Sequence, residues 1–296
     1  MSIIEGVYPP IATPFDDRGR LNAEALAANI QRWNDTGLNG YAIAGTNGES
    51  ALLEFDEVVS AVRIARQAAS TDKLVIAGTG CQSTAATIRL TCACADAGAN
   101  VALVLNPFVY GPQMNEAALT RHYETLAIAS PIPILLYNMP AVTHINMAPE
   151  MVARLSGHSN VVGIKDSAGN IGQVIDLVRL CGSVFDVVVG NAPTFLGGLL
   201  AGAKGGILAL ANVAPSECVA IWKLAREGHY AEAREIHHRL MPVARAVTTG
   251  HGVPGLKAAM DLLGYYGGEP RQPLQAITPA TREAIRQLLT EAGLLA

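Results

Sequence analysis

The chain has 296 residues, of which 50% are hydrophobic and 16% charged, enough apolar material for a large core and too little charge for disorder. With 21 Lys and Arg against 25 Asp and Glu the net charge is -4, so no basic field favours nucleic acid or an anionic membrane surface as partner. Five cysteines, Cys81, Cys92, Cys94, Cys181 and Cys218, contain no C-x-x-C pair and read as structural thiols rather than a disulfide framework or zinc ribbon.

MSIIEGVYPP lacks a basic region followed by a long apolar run, and no stretch reaches the roughly 18 uncharged apolar residues of a membrane span. A cytoplasmic protein is the expectation. Short Val, Ile and Leu-rich runs recur at 6–13, 39–45, 73–80, 100–107, 132–138, 160–167, 185–191 and 204–210. Most are apolar on both alternating faces, the pattern of parallel strands covered on each side. Segments with helical spacing separate them. Asp56 before Glu57, Ser83 before Thr84 and Pro149 mark helix starts, while the glycines of ADAG and RLCG mark stops.

Strand and helix alternate at about 30 residues, the length of one βα unit. Eight such units predict an α/β protein, a TIM (β/α)8 barrel over residues 1–225. A doubly wound sheet is the alternative, but GVYPPIATPF contains no G-x-G-x-x-G. Beyond residue 225 the spacing is helical alone, which predicts a C-terminal helical region over 226–296 packed on the barrel.

Catalytic groups of such a barrel come from the carboxyl ends of its strands. Lys165 in VVGIKDS ends an otherwise apolar strand. Of the other four lysines, Lys73 and Lys204 open strands, and Lys223 and Lys257 lie on predicted helices. An apolar setting favours the uncharged, nucleophilic amine; the alternative for Lys165 is a structural ion pair with Asp166. Tyr137 of YNMP ends strand five, where a phenol can relay protons or simply be a hydrogen-bonded strand-end tyrosine. GTNGES, residues 45–50, follows strand two. Gly45 and Gly48 let its backbone turn sharply, and its N–H groups with the Thr46 hydroxyl can nest a carboxylate. Glu49 there can also serve only to tie the loop down. An amine, a proton relay and an anion nest together suit a 2-oxo acid held as a Schiff base. A metal-dependent aldolase would need clustered His or carboxylate ligands at strand ends, which the placement of the seven histidines does not offer.

In these three motifs the sequence resembles the pyruvate-dependent class I aldolases that include dihydrodipicolinate synthase and N-acetylneuraminate lyase. GTNGES is similar to the family's G-[ST]-x-G-E loop, YNMP to its Y-N-x-P element and GIKDSAGN to its Schiff-base G-x-K-[DE] segment. The resemblance implies a TIM barrel with C-terminal helices, a homotetramer built as a dimer of dimers, and small-molecule substrates. It implies that Lys165 forms an imine with C2 of pyruvate or a 2-oxo acid, that Tyr137 relays protons and that Thr46 supports the relay. The Thr46 and Asn47 backbone amides would bind the carboxylate, and the Ile207 carbonyl would line the pocket. No metal or organic cofactor is implied, because the lysine supplies the electron sink.

Two positions depart from the family pattern. An Arg commonly follows the Y-N-x-P proline by two residues, where this chain has Ala141 and Val142; a Val cannot clamp a carboxylate, which counts against aspartate semialdehyde as second substrate. The tyrosine that reaches across the dimer is expected at Val109, and the adjacent Tyr110 is the candidate substitute. GTNGES and GVPGLKAAMDLLGYYGG look most similar to 4-hydroxy-2-oxoglutarate aldolases and related 2-keto-3-deoxy sugar acid aldolases, although Tyr265 to Gly268 also read as a packing and turn sequence. The expected activity is a carbon-carbon lyase acting on a 4-hydroxy-2-oxo acid. The alternatives are 4-hydroxy-tetrahydrodipicolinate synthase and, in another class, a non-catalytic 2-oxo acid sensor.

Overall fold

The computed structural model describes residues 2–295. Each of the eight apolar runs contains a strand: β1 Gly6–Tyr8, β2 Gly40–Ile43, β3 Leu74–Gly78, β4 Val101–Leu105, β5 Ile134–Asn138, β6 Val161–Asp166, β7 Asp186–Val189 and β8 Gly205–Ile207. All pair in parallel, in the order β1-β8-β7-β6-β5-β4-β3-β2. The sheet closes between β1 and β2 through an isolated bridge, Pro10 to Ala42, with the Ala42 N–H donating to the Pro9 carbonyl at 3.0 Å. Pro9 and Pro10 carry no N–H, so a continuous ladder cannot form at this seam. The result is a (β/α)8 barrel, as the strand count predicted.

Helices α1 Ala23–Trp33, α2 Phe55–Ala68, α3 Thr84–Asp96 and α4 Glu116–Ala129 cover the first half of the barrel. A single turn, α5 Pro140–Thr143, precedes α6 Pro149–Leu155, α7 Ile171–Cys181, α8 Phe195–Leu200 and α9 Pro215–Glu227. Ser83 caps α3, its hydroxyl accepting the Ala86 N–H, and Pro149 opens α6. The start of α2 differs from the expected Asp56: the cap is Glu54, whose N–H donates to Glu57 Oε2 at 2.9 Å. Three further helices, α10 Tyr230–Arg245, α11 Gly252–Leu262 and α12 Pro279–Glu291, follow without a strand.

Side chains divide into two apolar layers, as period-two strands between helices and a barrel lumen require. Tyr8, Ile76, Leu103, Leu135, Tyr137 and Ile207 fill the lumen, while a much larger cluster packs between strands and helices. The amino end of the lumen is plugged. Asp186 Oδ2 accepts the N–H groups of Ile3 and Ile4 at 2.7 and 2.8 Å, seating the buried Ile4 below the strands. No helix among the described residues is long and apolar enough to cross a membrane.

His122 on α4 is 5% exposed and meets Thr84 at the start of α3, 2.9 Å from its Nδ1. Burial pushes its pKa from 6.5 down to about 4. The unfolded chain therefore takes up a proton that the folded chain refuses between those values, and stability falls as pH falls through that window. The expected loss on going from pH 7 to pH 5 is about 2 kcal/mol from this residue. Urea unfolding of the wild type and His122→Gln at both pH values checks it. A variant with the same pH dependence as the wild type would refute the assignment.

Candidate active site

Strands β5 and β6 pair with Tyr137 opposite Lys165 and Asn138 opposite Asp166. Alternation along a strand then sends the first pair into the lumen and the second toward the helices. Lys165 is 2% exposed, and its Nζ lies 4.0 Å from the centre of the Tyr137 ring. It has no carboxylate partner among the described residues. The Asp166 ion pair considered from sequence is not formed, because consecutive strand residues face opposite ways.

Asp166 instead closes a polar cluster behind the lumen. Its Oδ1 accepts from Asn138 Nδ2 at 2.7 Å and from Gln173 Nε2 on α7 at 2.9 Å. Asn138 also donates to Asn146 Oδ1 at 2.8 Å and accepts the Met147 N–H at 3.0 Å. Burial raises the Asp166 pKa, opposed by these two amide donors. Through Asp166 Oδ1 the cluster ties the ends of β5 and β6 together and thereby holds the positions of Tyr137 and Lys165. Room for the lysine is made by Gly190, where a Cβ would sit 1.7 Å from Ser167 Oγ and 3.0 Å from Lys165 Cε.

Across the lumen, Thr46 Oγ1 lies 3.4 Å from the Tyr137 hydroxyl. The phenol donates to Met139 Sδ at 2.7 Å, and Thr46 Oγ1 lies 3.7 Å from the same sulfur. Met139 thus contacts both hydroxyls; nothing in its position in YNMP distinguishes it. Thr46 and Asn47 begin a one-turn 3-10 helix, Thr46–Gly48, and their N–H groups have no partner among the described residues. Thr46, Gly45, Leu105 and Tyr137 line a cavity of about 30 Å³. It adjoins a mouth of about 630 Å³, with which it shares Thr46, Ser50, Gly80 and Leu105. Lys165 and Ile207 line neither. Ile207 is fully buried in the lumen cluster that includes Tyr137.

The loop bends differently from the expectation that Gly45 and Gly48 make its turn. Neither has positive φ; the left-handed residues are Ala44 at φ 53° and Glu49 at φ 58°. Gly48 is needed for close approach, since a Cβ there would lie 2.9 Å from the Ile11 carbonyl. Glu49 holds its strained backbone through a buried ion pair with Lys257 of α11, 2.7 Å apart and each side chain at most 1% exposed. Its other oxygen accepts the Arg271 N–H at 2.7 Å, and Arg271 forms two 2.6 Å bonds to Glu57. Burial lowers the Lys257 pKa, opposed by Glu49. In the sequence Lys257 is one more lysine of a predicted helix, and its one signal is its place in an apolar helix face. The Tyr265–Gly268 stretch packs and turns: Tyr265 stacks on Trp33 at 5.1 Å and the Tyr266 hydroxyl donates to the Phe15 carbonyl.

Tyr110 is 69% exposed and does not line the mouth, whereas Val109 does. Within one chain Tyr110 therefore takes no part in the site, because the loop after β4 turns it outward and the Val109 N–H is held by Gln82 Oε1 at 3.0 Å.

Removing one partner of a buried ion pair leaves the other charge uncompensated, at a cost of about 3–5 kcal/mol. Lys257→Met is expected to lose about that much stability in urea unfolding, and Glu49→Leu combined with Lys257→Met to recover part of it. Additive losses would show that the two charges do not interact.

The chain matches the profile of the Dihydrodipicolinate synthetase family over residues 3–292. It is 37% identical over 290 residues to a 4-hydroxy-tetrahydrodipicolinate synthase of Methanothrix thermoacetophila, covering 98% of this chain and 97% of that one. The dihydrodipicolinate synthase of Thermotoga maritima superposes with a TM-score of 0.94 at 32% identity, covering 99% of this chain and all of that one. The chloride-inhibited dihydrodipicolinate synthase of Acinetobacter baumannii, solved with pyruvate, superposes with a TM-score of 0.94 at 28% identity, over 99% of this chain and all of that one. These relatives lend no support to the expected closeness to 4-hydroxy-2-oxoglutarate aldolases. With a family profile and a relative of this identity each spanning nearly the whole barrel and its C-terminal helices, the chain belongs to the dihydrodipicolinate synthetase family and is an enzyme of its class I aldolase type.

Proposed function

We propose that Lys165 is the Schiff-base lysine and that the enzyme makes or breaks the C3–C4 bond of a 4-hydroxy-2-oxo acid. The observation that carries this is the unpaired, buried amine of Lys165 beside the Tyr137 phenol, itself within reach of Thr46. The amine adds to C2 of pyruvate and expels water. Loss of a C3 proton gives an enamine, whose C3 attacks the aldehyde carbon, and hydrolysis returns the amine. Tyr137 exchanges protons with the carbinolamine and the new alkoxide, with Thr46 orienting its hydroxyl. The free amides of Thr46 and Asn47 supply the donors for the pyruvate carboxylate, and Ile207 forms part of the wall.

The second substrate has two readings. The names of the relatives favour 4-hydroxy-tetrahydrodipicolinate synthase, in which the aldehyde is aspartate semialdehyde. Ala141 and Val142 after Pro140 favour an aldehyde without that carboxylate, since no guanidinium stands on this turn. Coupled assays of pyruvate with aspartate semialdehyde, and of pyruvate release from 4-hydroxy-2-oxo acids, separate them. A homotetramer, with Tyr110 in an interface, belongs to the same proposal and is measured by analytical ultracentrifugation.

Borohydride reduction in the presence of pyruvate is expected to attach the pyruvate carbon skeleton to Lys165, read by peptide mass mapping. An unmodified Lys165 would sink the assignment, and tight pyruvate binding with no turnover of any aldol substrate would favour a sensor. Lys165→Ala is expected to abolish the adduct. Tyr137→Phe should retain folding and lower kcat by about 100-fold or more, the usual worth of a positioned proton relay.

A further inference from the structure

The mouth above Thr46 is where the aldehyde must enter, and its lining is chemically one-sided. Leu52, Leu105, Phe108, Val109, Val142 and Leu274 supply apolar walls from the ends of β2, β4 and β5 and from the C-terminal segment. Glu49 is the one charged residue lining it among the described residues, and its carboxylate is already held by Lys257 and the Arg271 N–H. The Gln82 side-chain oxygen is likewise occupied, accepting the N–H groups of Phe108 and Val109 at 3.0 Å. No cation lines the space among the described residues. A carboxylate on the incoming aldehyde would leave water for a wall that, beyond the neutral polar groups of Thr46, Ser50 and Gln82, offers it an anion and hydrocarbon and no charged partner. An apolar substituent would instead remove its own surface and that of the wall from water.

We propose that the aldehyde partner carries an uncharged apolar substituent, aliphatic or aromatic, and no carboxylate. This rests on the Lys165 imine reading and narrows its product to a 4-hydroxy-2-oxo acid whose only carboxylate is pyruvate's own. The bond account is closed. C3 of the enamine forms a bond to the aldehyde carbon, the aldehyde oxygen takes a proton to become the 4-hydroxyl, and water releases the product from the lysine. No oxidant or reductant enters.

The test uses the full-length enzyme with pyruvate and, in parallel, benzaldehyde, pentanal, glyoxylate, glyceraldehyde and aspartate semialdehyde, with products measured by mass spectrometry. Benzaldehyde or pentanal is expected to exceed glyoxylate and aspartate semialdehyde in kcat/KM by at least about 10-fold, the scale on which an apolar pocket discriminates. Equal or faster turnover of a carboxylate-bearing or polyhydroxy aldehyde would overturn the proposal. So would a Lys165 adduct with pyruvate accompanied by turnover of none of the five, which would leave the imine reading standing. Absence of that adduct would remove the imine reading itself. Val142→Arg is expected to shift the glyoxylate to benzaldehyde ratio toward glyoxylate by about 10-fold or more; an unchanged ratio would overturn the placement of the substituent beside this turn.

Discussion

The register between β5 and β6 is the constraint on which the site depends. One pairing puts Tyr137 beside Lys165 and, one residue on, Asn138 beside Asp166. Since side chains alternate across the sheet, a slip of β6 by one residue would turn the amine into the helical layer, away from the phenol, and put Asp166 in the lumen. The polar cluster resists such a slip, because Asn138 on β5 donates to Asp166 on β6, which Gln173 of α7 also holds. The chemistry in the lumen is therefore held by hydrogen bonds made outside it.

Two buried lysines illustrate how environment separates structural from chemical roles. Lys257 has a carboxylate at 2.7 Å, a carbonyl acceptor from Glu269 at 2.9 Å and the Phe15 ring at 4.4 Å. Its charge is compensated, and the pair joins α11 to the loop that carries Thr46 and Asn47. Among the described residues Lys165 has the Tyr137 ring and no anion beside it, a setting that suits a nucleophile. The C-terminal helices are thus part of the substrate loop's support, tied to it through Glu49, Arg271 and Glu57, and the Arg271 guanidinium holds the Glu57 carboxyl below its ordinary range.

Family membership and substrate choice rest on different parts of the molecule. The proposed imine chemistry belongs to the strand ends, where Lys165 and Tyr137 stand. Acceptor choice belongs to the rim, built from loops after β2, β3, β4 and β5 and from the segment near Leu274. A synthase name in a relative at 37% identity speaks to the first more than the second, because a rim residue such as Val142 can change without disturbing the barrel.

The sequence by itself determined the eight strands, the barrel, and Lys165, Tyr137 and Thr46 as groups at strand carboxyl ends. Apolar runs bounded by turn residues and the period of two are local properties, readable without knowing what touches what. Only the tertiary structure decided what those groups meet. It brought Met139 onto the Tyr137 hydroxyl, paired Lys257 with Glu49 across 208 positions, moved the sharp turn from Gly45 and Gly48 to Ala44 and Glu49, and turned Tyr110 away from the mouth. Such contacts depend on the stagger of the strands and the packing of distant helices. No local pattern carries that information, so the residues that position the site stayed hidden among ordinary helix and loop residues until the chain was closed into a barrel.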